Sequence, residues 1–289
     1  MKRLLEIIQL SASFLEKKGI ERARFEAEEV IADALLLKRL DLYLQFDRPL
    51  IEQELASVRE RLQRRANREP LAYIHGRVTF GGLTFEVNPS VLIPRPETEI
   101  LLATISETLS KEDVEGKVLW DVCAGSGCLG LCLKHRFPAL TVVLSDLSPA
   151  ALEVAKRNAG SLGLLSSVTF LEGDLFAPFS GMKCDYFVSN PPYITEEEYR
   201  SLAPEVREQE PKMALVSGVS GYEMYEKIAS GLPHYLAEGG RGWLEMGTGQ
   251  GDEIVKIFSS YDLFGSVASD YAGHDRFFFL EKSVGVPVR

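Results

Sequence analysis

From Val118 onward, short apolar runs recur between longer stretches of helical periodicity, and this alternation constrains the fold more than any other feature. The strand candidates are residues 118–121, 141–144, 168–170, 186–189, 243–245 and 277–280. Helices fit between most of them, for example at 149–159 and 221–237. Successive parallel strands need a crossover long enough to hold a helix. The order therefore predicts an α/β fold built on a mostly parallel, doubly wound sheet.

The chain before residue 70 reads differently, as helices alone. Leu4, Ile8, Ala12 and Leu15 share one helical face, and Ala27, Val30, Ile31, Ala34 and Leu35 another. A third pattern runs over 51–68, with Leu55, Val58 and Leu62 in register. Charge divides at the same place: residues 1–69 carry +1 and the remainder −11. We expect a small all-α N-terminal domain over 1–69 that docks the substrate. A linker hairpin over 70–92, opened by Pro70 and punctuated by Gly76, Gly81 and Gly82, leads into a catalytic domain over 93–289. Arg59, Arg61, Arg64, Arg65 and Arg68 crowd one helix end, either as a solvated face or as a docking patch.

The net charge of −10 opposes broad phosphate-backbone binding, which depends on many cationic contacts. No direct nucleic-acid partner is expected. The N-terminal leucines are interrupted by Glu6 and Gln9, unlike a signal peptide, and no run of 18 apolar residues exists to span a membrane. Four clustered cysteines (Cys123, Cys128, Cys132 and Cys184) without a C-x-x-C pair read as small buried hydrophobes in a reducing cytoplasm. No metal site is expected.

Strand 118–121 enters the turn Asp121-Val122-Cys123-Ala124-Gly125-Ser126-Gly127-Cys128-Leu129-Gly130. Glycines there permit a tight turn and a close backbone approach to a ligand. Asp146 ends the next strand, where a carboxylate can accept two ribose hydroxyls. Two cofactor classes compete for this pattern: a nicotinamide dinucleotide, or S-adenosylmethionine (AdoMet), which carries no phosphate. Asp121 favours the cationic AdoMet, because beside a pyrophosphate it would repel. A buried carboxylate that only caps the helix is the plain alternative.

The fourth strand ends in Asn190-Pro191-Pro192-Tyr193. Two prolines stiffen the segment and remove two backbone donors, leaving carbonyls free to face a ligand. A planar N–H₂ group fits there, one hydrogen to the Asn190 side chain and the other to the Pro191 carbonyl, with Tyr193 stacked on its plane. Such a clamp suits methylation of an amide or exocyclic amine.

With these residues in view, the chain resembles the protein-(glutamine-N5) methyltransferases that modify peptide chain release factors. The turn from Asp121 to Gly127, the stretch Ser145-Asp146-Leu147-Ser148-Pro149, Gly173-Asp174-Leu175-Phe176 and the Asn190–Tyr193 tetrapeptide carry the likeness. So do Tyr73-Ile74-His75-Gly76, the run from Val91 through Arg95 to Glu99, Glu210-Pro211 and the segment from Asp270 to Arg276. Leu175 stands where many members have tryptophan, and His75 where leucine is commoner.

The resemblance implies an AdoMet-dependent methyltransferase fold, Rossmann-like, with a seven-stranded sheet behind the helical domain. It implies AdoMet as cofactor and S-adenosyl-L-homocysteine as product. Asp121, Cys123, Ala124, Gly125, Ser126, Gly127, Asp146, Leu147, Asp174, Leu175 and Asn190 would bind the cofactor. Asn190, Pro191, Pro192 and Tyr193 would hold the glutamine of a Gly-Gly-Gln loop in class 1 release factors. The enzyme would act as a cytoplasmic monomer. A ribosomal-protein glutamine is the alternative substrate; an adenine amine or a non-catalytic AdoMet-binding module fits less well.

Overall fold

The computed structural model describes residues 2–282, and the chain falls into two compact units. The first comprises Met1–Arg77 with Ala203–Gln209, the second Val78–Leu202 with Glu210–Arg289.

The first unit contains α1 (Leu4–Lys17), α2 (Ala23–Ala34), α3 (Arg39–Leu42), α4 (Glu52–Ala66) and α5 (Leu71–His75). Leu4, Ile8 and Leu15 of α1 meet Ala27, Val30 and Ile31 of α2 and Val58 and Leu62 of α4 in one buried core. Three- and four-residue spacing puts these side chains on one face of each helix. Ala12, Ala34, Leu35 and Leu55 border that core. The unit runs past Pro70: residues 71–75 are helical rather than part of a hairpin, and Arg77 pairs with Asp33 at 2.7 Å.

The arginines of α4 form neither a bare solvated face nor an open cationic patch, because carboxylates of their own unit compensate them. Arg59 pairs with Glu52, Arg61 with Asp33 at 3.2 Å, and Arg64 with Glu69 at 2.6 Å. Arg65 is buried, pairs with Glu26, and shares Glu205 with Arg68 at 3.0 and 3.1 Å. Glu205 lies in α10 (Pro204–Arg207), so these pairs anchor the distant segment 203–209 within the helical unit.

The second unit opens with a hairpin, β1 (Arg77–Phe80) and β2 (Leu83–Glu86), turning through Gly81 and Gly82 at φ +57° and +86°. After α6 (Pro96–Leu109) come β3 (Val118–Val122), α7 (Cys128–Arg136), β4 (Thr141–Asp146), α8 (Pro149–Ser161), β5 (Val168–Glu172) and β6 (Cys184–Ser189). A short parallel pair, β7 (Ile194–Thr195) and β8 (Val216–Gly218), brackets α9 (Glu196–Ser201) and α10 in sequence. Then follow α11 (Glu223–Tyr235), β9 (Leu236–Glu245), α12 (Gly251–Ser259), β10 (Phe264–Ser269) and β11 (Asp275–Glu281).

Seven strands make one mixed sheet in the order β10-β11-β9-β6-β3-β4-β5. The pairs among β9, β6, β3, β4 and β5 are parallel, and those involving β11 antiparallel. Alternation along the strands feeds a core on each face. Leu119, Val142, Leu144 and Val188 pack on the side of α6, α7 and α8; Trp120, Val143 and Phe187 pack with α11 and α12. Trp120 stacks on Phe179, with ring centroids 3.8 Å apart.

Two strands also depart from the sequence reading. β10 was not anticipated: it lies at the sheet edge, and Gly265, Ser266 and Ala268 blur its hydrophobic signature. β9 starts at Leu236 rather than 243, its first half disguised by Gly239, Gly240 and Gly242. Among the described residues, no helix is long and apolar enough to cross a membrane.

Burial sets the expected cost of losing each arginine. Arg65→Leu leaves Glu26 and Glu205 without their buried cation and should cost the helical unit about 3–5 kcal/mol. Arg59→Ala, at an exposed pair, should cost under about 1 kcal/mol. Urea denaturation followed by circular dichroism checks the contrast.

Candidate active site

The strand order reverses between β3 and β6, and open α/β sheets bind ligands beside that point, at the C-terminal strand ends. A cavity of ≈ 320 Å³ lies there. Its wall includes Asp121 in β3 and Cys123, Ala124, Gly125 and Ser126 after it, Asp146 at the end of β4 and Leu147 after it, Asp174 and Leu175 after β5, and Asn190 and Pro192 after β6. Gly127, Pro191 and Tyr193 do not line it.

The turn after β3 is held by main-chain donors and two carboxylates. The Ala124 N–H donates to the Ser145 carbonyl (3.0 Å), and the Gly125 N–H to Asp146 Oδ2 (2.8 Å). Asp146 Oδ1 accepts from the Ser148 N–H at 2.9 Å, which fixes the carboxylate at the mouth of α8. Burial raises the Asp146 pKa, and these N–H donors oppose the rise.

Asp121 caps the helix and also reaches the cavity wall. It is buried, it accepts the Gly130 N–H of α7 at 2.8 Å, and it lines the cavity. Burial pushes its carboxyl up to about 7, with the Gly130 N–H pulling down and Asp146 adding to the rise.

The glycines divide in function. Gly127 caps α7 at φ +76°, and a Cβ there would lie 2.8 Å from Leu144 Cδ2. Its small size serves helix-on-sheet packing, which explains its absence from the cavity wall. Gly125, at φ +54°, has open space where a Cβ would be. Two non-glycine wall residues, Cys123 and Leu175, also take left-handed φ, +61° and +47°. Such backbone costs about 1–2 kcal/mol per residue and points its neighbours into the site. Cys128, Cys132 and Cys184 are buried, whereas Cys123 is half-buried and faces the cavity.

The tetrapeptide is braced from behind. Ser189 Oγ donates to the Val122 carbonyl (2.7 Å), tying the end of β6 to β3. Gln250 Nε2 donates to the Tyr193 carbonyl (3.0 Å), while its Oε1 accepts the Gly247 N–H (2.9 Å). The Tyr193 ring packs against the core shared by α11 and α12, which keeps it off the cavity wall, and Pro191 is buried. Burial pushes the Tyr193 phenol up to about 12.

Several wall residues were not anticipated from sequence. Thr98, in the first turn of α6, receives the Asn190 Nδ2 hydrogen bond at 3.3 Å and donates to Glu245 Oε2 at 2.6 Å. Arg95 and the Ile93 N–H both bind Glu210, at 2.6 and 3.1 Å, closing residues 93–95 against 210–211. Met213, Val216 and Met224 add apolar wall. These residues come from separate parts of the chain, so no short-range spacing marks them. The run from Val91 to Glu99 and the pair Glu210-Pro211 carry the family likeness without a role for Arg95, Thr98 or Glu210, and Glu245 reads only as a carboxylate that ends an apolar strand.

The wall thus carries Asp121, Asp146 and Asp174 against Lys227 and Arg95, and Lys227 lies 3.7 Å from Asp174 while Arg95 serves Glu210. With the Gly125 N–H committed to Asp146, this donor set suits a cationic, phosphate-free ligand and not a pyrophosphate. Among the described residues, no group of three or more His, Cys, Asp or Glu side chains converges as a metal site.

Known proteins resemble this chain over most of its length. Residues 6–76 match the PrmC N-terminal domain, and 96–213 the methyltransferase small domain. Over 281 residues the chain is 44% identical to a release factor glutamine methyltransferase of Chlamydia trachomatis serovar D, covering 97% of this chain and 94% of that protein. A release factor glutamine methyltransferase of Geobacter sulfurreducens is 42% identical over 254 residues, covering 88% and 87%. The fold is similar to a solved methyltransferase from Pyrococcus furiosus, with TM-score 0.52 and 17% identity over 70% of this chain and 90% of that one.

The division among glycines is measurable. Gly127→Ala adds a clash with Leu144 to the cost of its left-handed φ and should destabilise by about 2–4 kcal/mol. Gly125→Ala bears the φ cost alone, about 1–2 kcal/mol. Urea unfolding of both ligand-free variants tests the order.

Proposed function

The chain belongs to the release factor glutamine methyltransferases, and from that premise we propose that it transfers a methyl group from AdoMet to the side-chain amide nitrogen of the Gly-Gly-Gln glutamine in class 1 peptide chain release factors. One observation carries the reading to this chain's own residues: Asn190, an amide acceptor, lines the same cavity as Asp121 and Asp146. A holder for an amide and an acidic pocket for a cationic donor therefore open on one space.

AdoMet, when bound, supplies a methyl group activated by its sulfonium charge. Asp146 would hold the ribose hydroxyls, Asp174 and Leu175 the adenine side, and the turn from Asp121 to Ser126 the methionine part, with Gly127 seating the helix behind it. Asn190 and Pro191 act on the glutamine. An amide nitrogen is a weak nucleophile because its lone pair is delocalised into the carbonyl. Acceptance of one hydrogen by Asn190 Oδ1, on the cavity wall, and the other by the main-chain carbonyl of Pro191, whose residue is buried off that wall, would raise electron density on nitrogen and orient its lone pair. No side-chain base is required first; the proton leaves once nitrogen has become cationic. Pro191 and Pro192 keep the acceptors rigid, so the contribution is mainly proximity and alignment, up to ~7–11 kcal/mol of the barrier. Val91, Leu92, Met213, Val216 and Met224 supply an apolar wall that limits water.

We assign release-factor docking to the helical unit. Its α4 arginines are satisfied internally, so the candidate surface is apolar: Leu36, Leu40 and Leu44 are 88%, 72% and 85% exposed. The acidic balance agrees with a protein substrate, and the reading is of a cytoplasmic monomer.

Labelled AdoMet should mark recombinant release factor and leave a variant with alanine at the loop glutamine unmarked; equal labelling of both, or of neither, overturns the proposal. A pH series gives a second check. A carboxyl raised to about 7 must lose its proton to meet a cation, so AdoMet affinity should fall by up to about tenfold per unit as pH drops below 7. Asp121→Asn should flatten that slope in calorimetric titrations between pH 6 and 8, leaving only the contribution of Asp146.

A further inference from the structure

Three side chains from distant parts of the sequence, Asn190 and Thr98 on the cavity wall and Glu245 behind them, form a directional chain. Thr98 Oγ1 donates its single hydrogen to Glu245 Oε2 at 2.6 Å, within a buried pair. The same oxygen then has only lone pairs left, and it accepts from Asn190 Nδ2 at 3.3 Å. Burial pushes the Glu245 carboxyl up to about 7, with Thr98, Arg276 and Asn190 pulling it back, so above pH 7 it is ionised and can only accept the Thr98 hydrogen. Thr98 is packed in the first turn of α6, and Glu245 closes β9, both rigid elements.

This order distinguishes the two faces of the Asn190 amide. Rotating the amide by half a turn would set Oδ1 against Thr98 Oγ1, two acceptors with no hydrogen between them. The buried site would lose a hydrogen bond and gain a repulsion. We propose that Thr98 and Glu245 are positioning residues that fix Asn190 with its carbonyl turned toward the substrate nitrogen. The inference rests on reading the cavity as a site of glutamine-amide methylation. Asn190 touches the substrate, whereas Thr98 and Glu245 act only through it.

The chain has a built-in test, because its parts differ in what they offer. Thr98→Val keeps the shape and removes the hydroxyl, Thr98→Ser keeps the hydroxyl, and Glu245→Gln keeps a carbonyl that can accept the Thr98 proton. Thr98→Val should lower kcat by about 10–100-fold with AdoMet affinity changed less than about twofold, and Thr98→Ser should restore most of it. In an Asn190→Ala background, Thr98→Val should cost less than about another twofold, since the residue it orients is gone. Glu245→Gln should stay within about fivefold of wild type, and this arm carries the test should Thr98→Val fail to fold. Wild-type turnover at Thr98→Val, a parallel loss of AdoMet affinity, an undiminished loss in the Asn190→Ala background, or a Glu245→Gln loss as large as that of Asn190→Ala would each overturn the inference. Wild-type enzyme assayed in parallel separates the two levels: if it leaves the glutamine unmodified, the underlying reading fails, and otherwise only the positioning role is at stake.

Discussion

The close seating of α7 on the sheet is the constraint on which the cavity depends. Gly127 lets the helix start almost against Leu144, and the Gly130 N–H lies 2.8 Å from Asp121. A side chain at either position would lift the helix, and with it the wall from Cys123 to Ser126. The carboxylates exploit this closeness: Asp121 binds the helix from beneath and Asp146 binds the turn from the side, each keeping part of its surface for the cavity. Cys123, in the turn that leads into that helix, takes a left-handed φ of +61°.

The acidic charge of the chain takes on a local meaning. Most of the cations in the helical unit are matched by their own carboxylates, from Arg61 with Asp33 to Arg68 with Glu205. In the sheet unit, three carboxylates line the cavity and both wall cations are engaged nearby. The electrostatic preference for a cationic ligand thus arises from residues within the site, while overall charge would have given only a weak guide.

Local chemistry was legible in the sequence; convergence was not. The central strands were readable because they are buried on both faces and run as unbroken apolar stretches around Trp120, Val143 and Phe187. β10 escaped because an edge strand needs little hydrophobicity, and the start of β9 because glycines hide a strand. Asp121, Asp146 and Asn190 could be found since each ends a strand beside a turn. Thr98, Glu245 and Glu210 could not be joined to them, because their association exists only once α6, β9 and the loop before β8 are folded together. The tetrapeptide was readable as a motif, yet its parts separate in space: Asn190 and Pro192 face the cavity, while Tyr193 belongs to the core behind it.

The direction of the Asn190 amide has a bearing on chemical fidelity. In the proposed orientation, the lone pairs of Asn190 Oδ1 and the Pro191 carbonyl would distinguish a glutamine from a glutamate of the same length, because the carboxylate brings oxygens where hydrogens are needed. Replacement of one NH₂ by oxygen, the change that spontaneous deamidation makes, would turn two attractions into two repulsions. An aged or miscoded substrate would then be refused at the binding step, before any cofactor is consumed, by the same side chain that prepares the correct one.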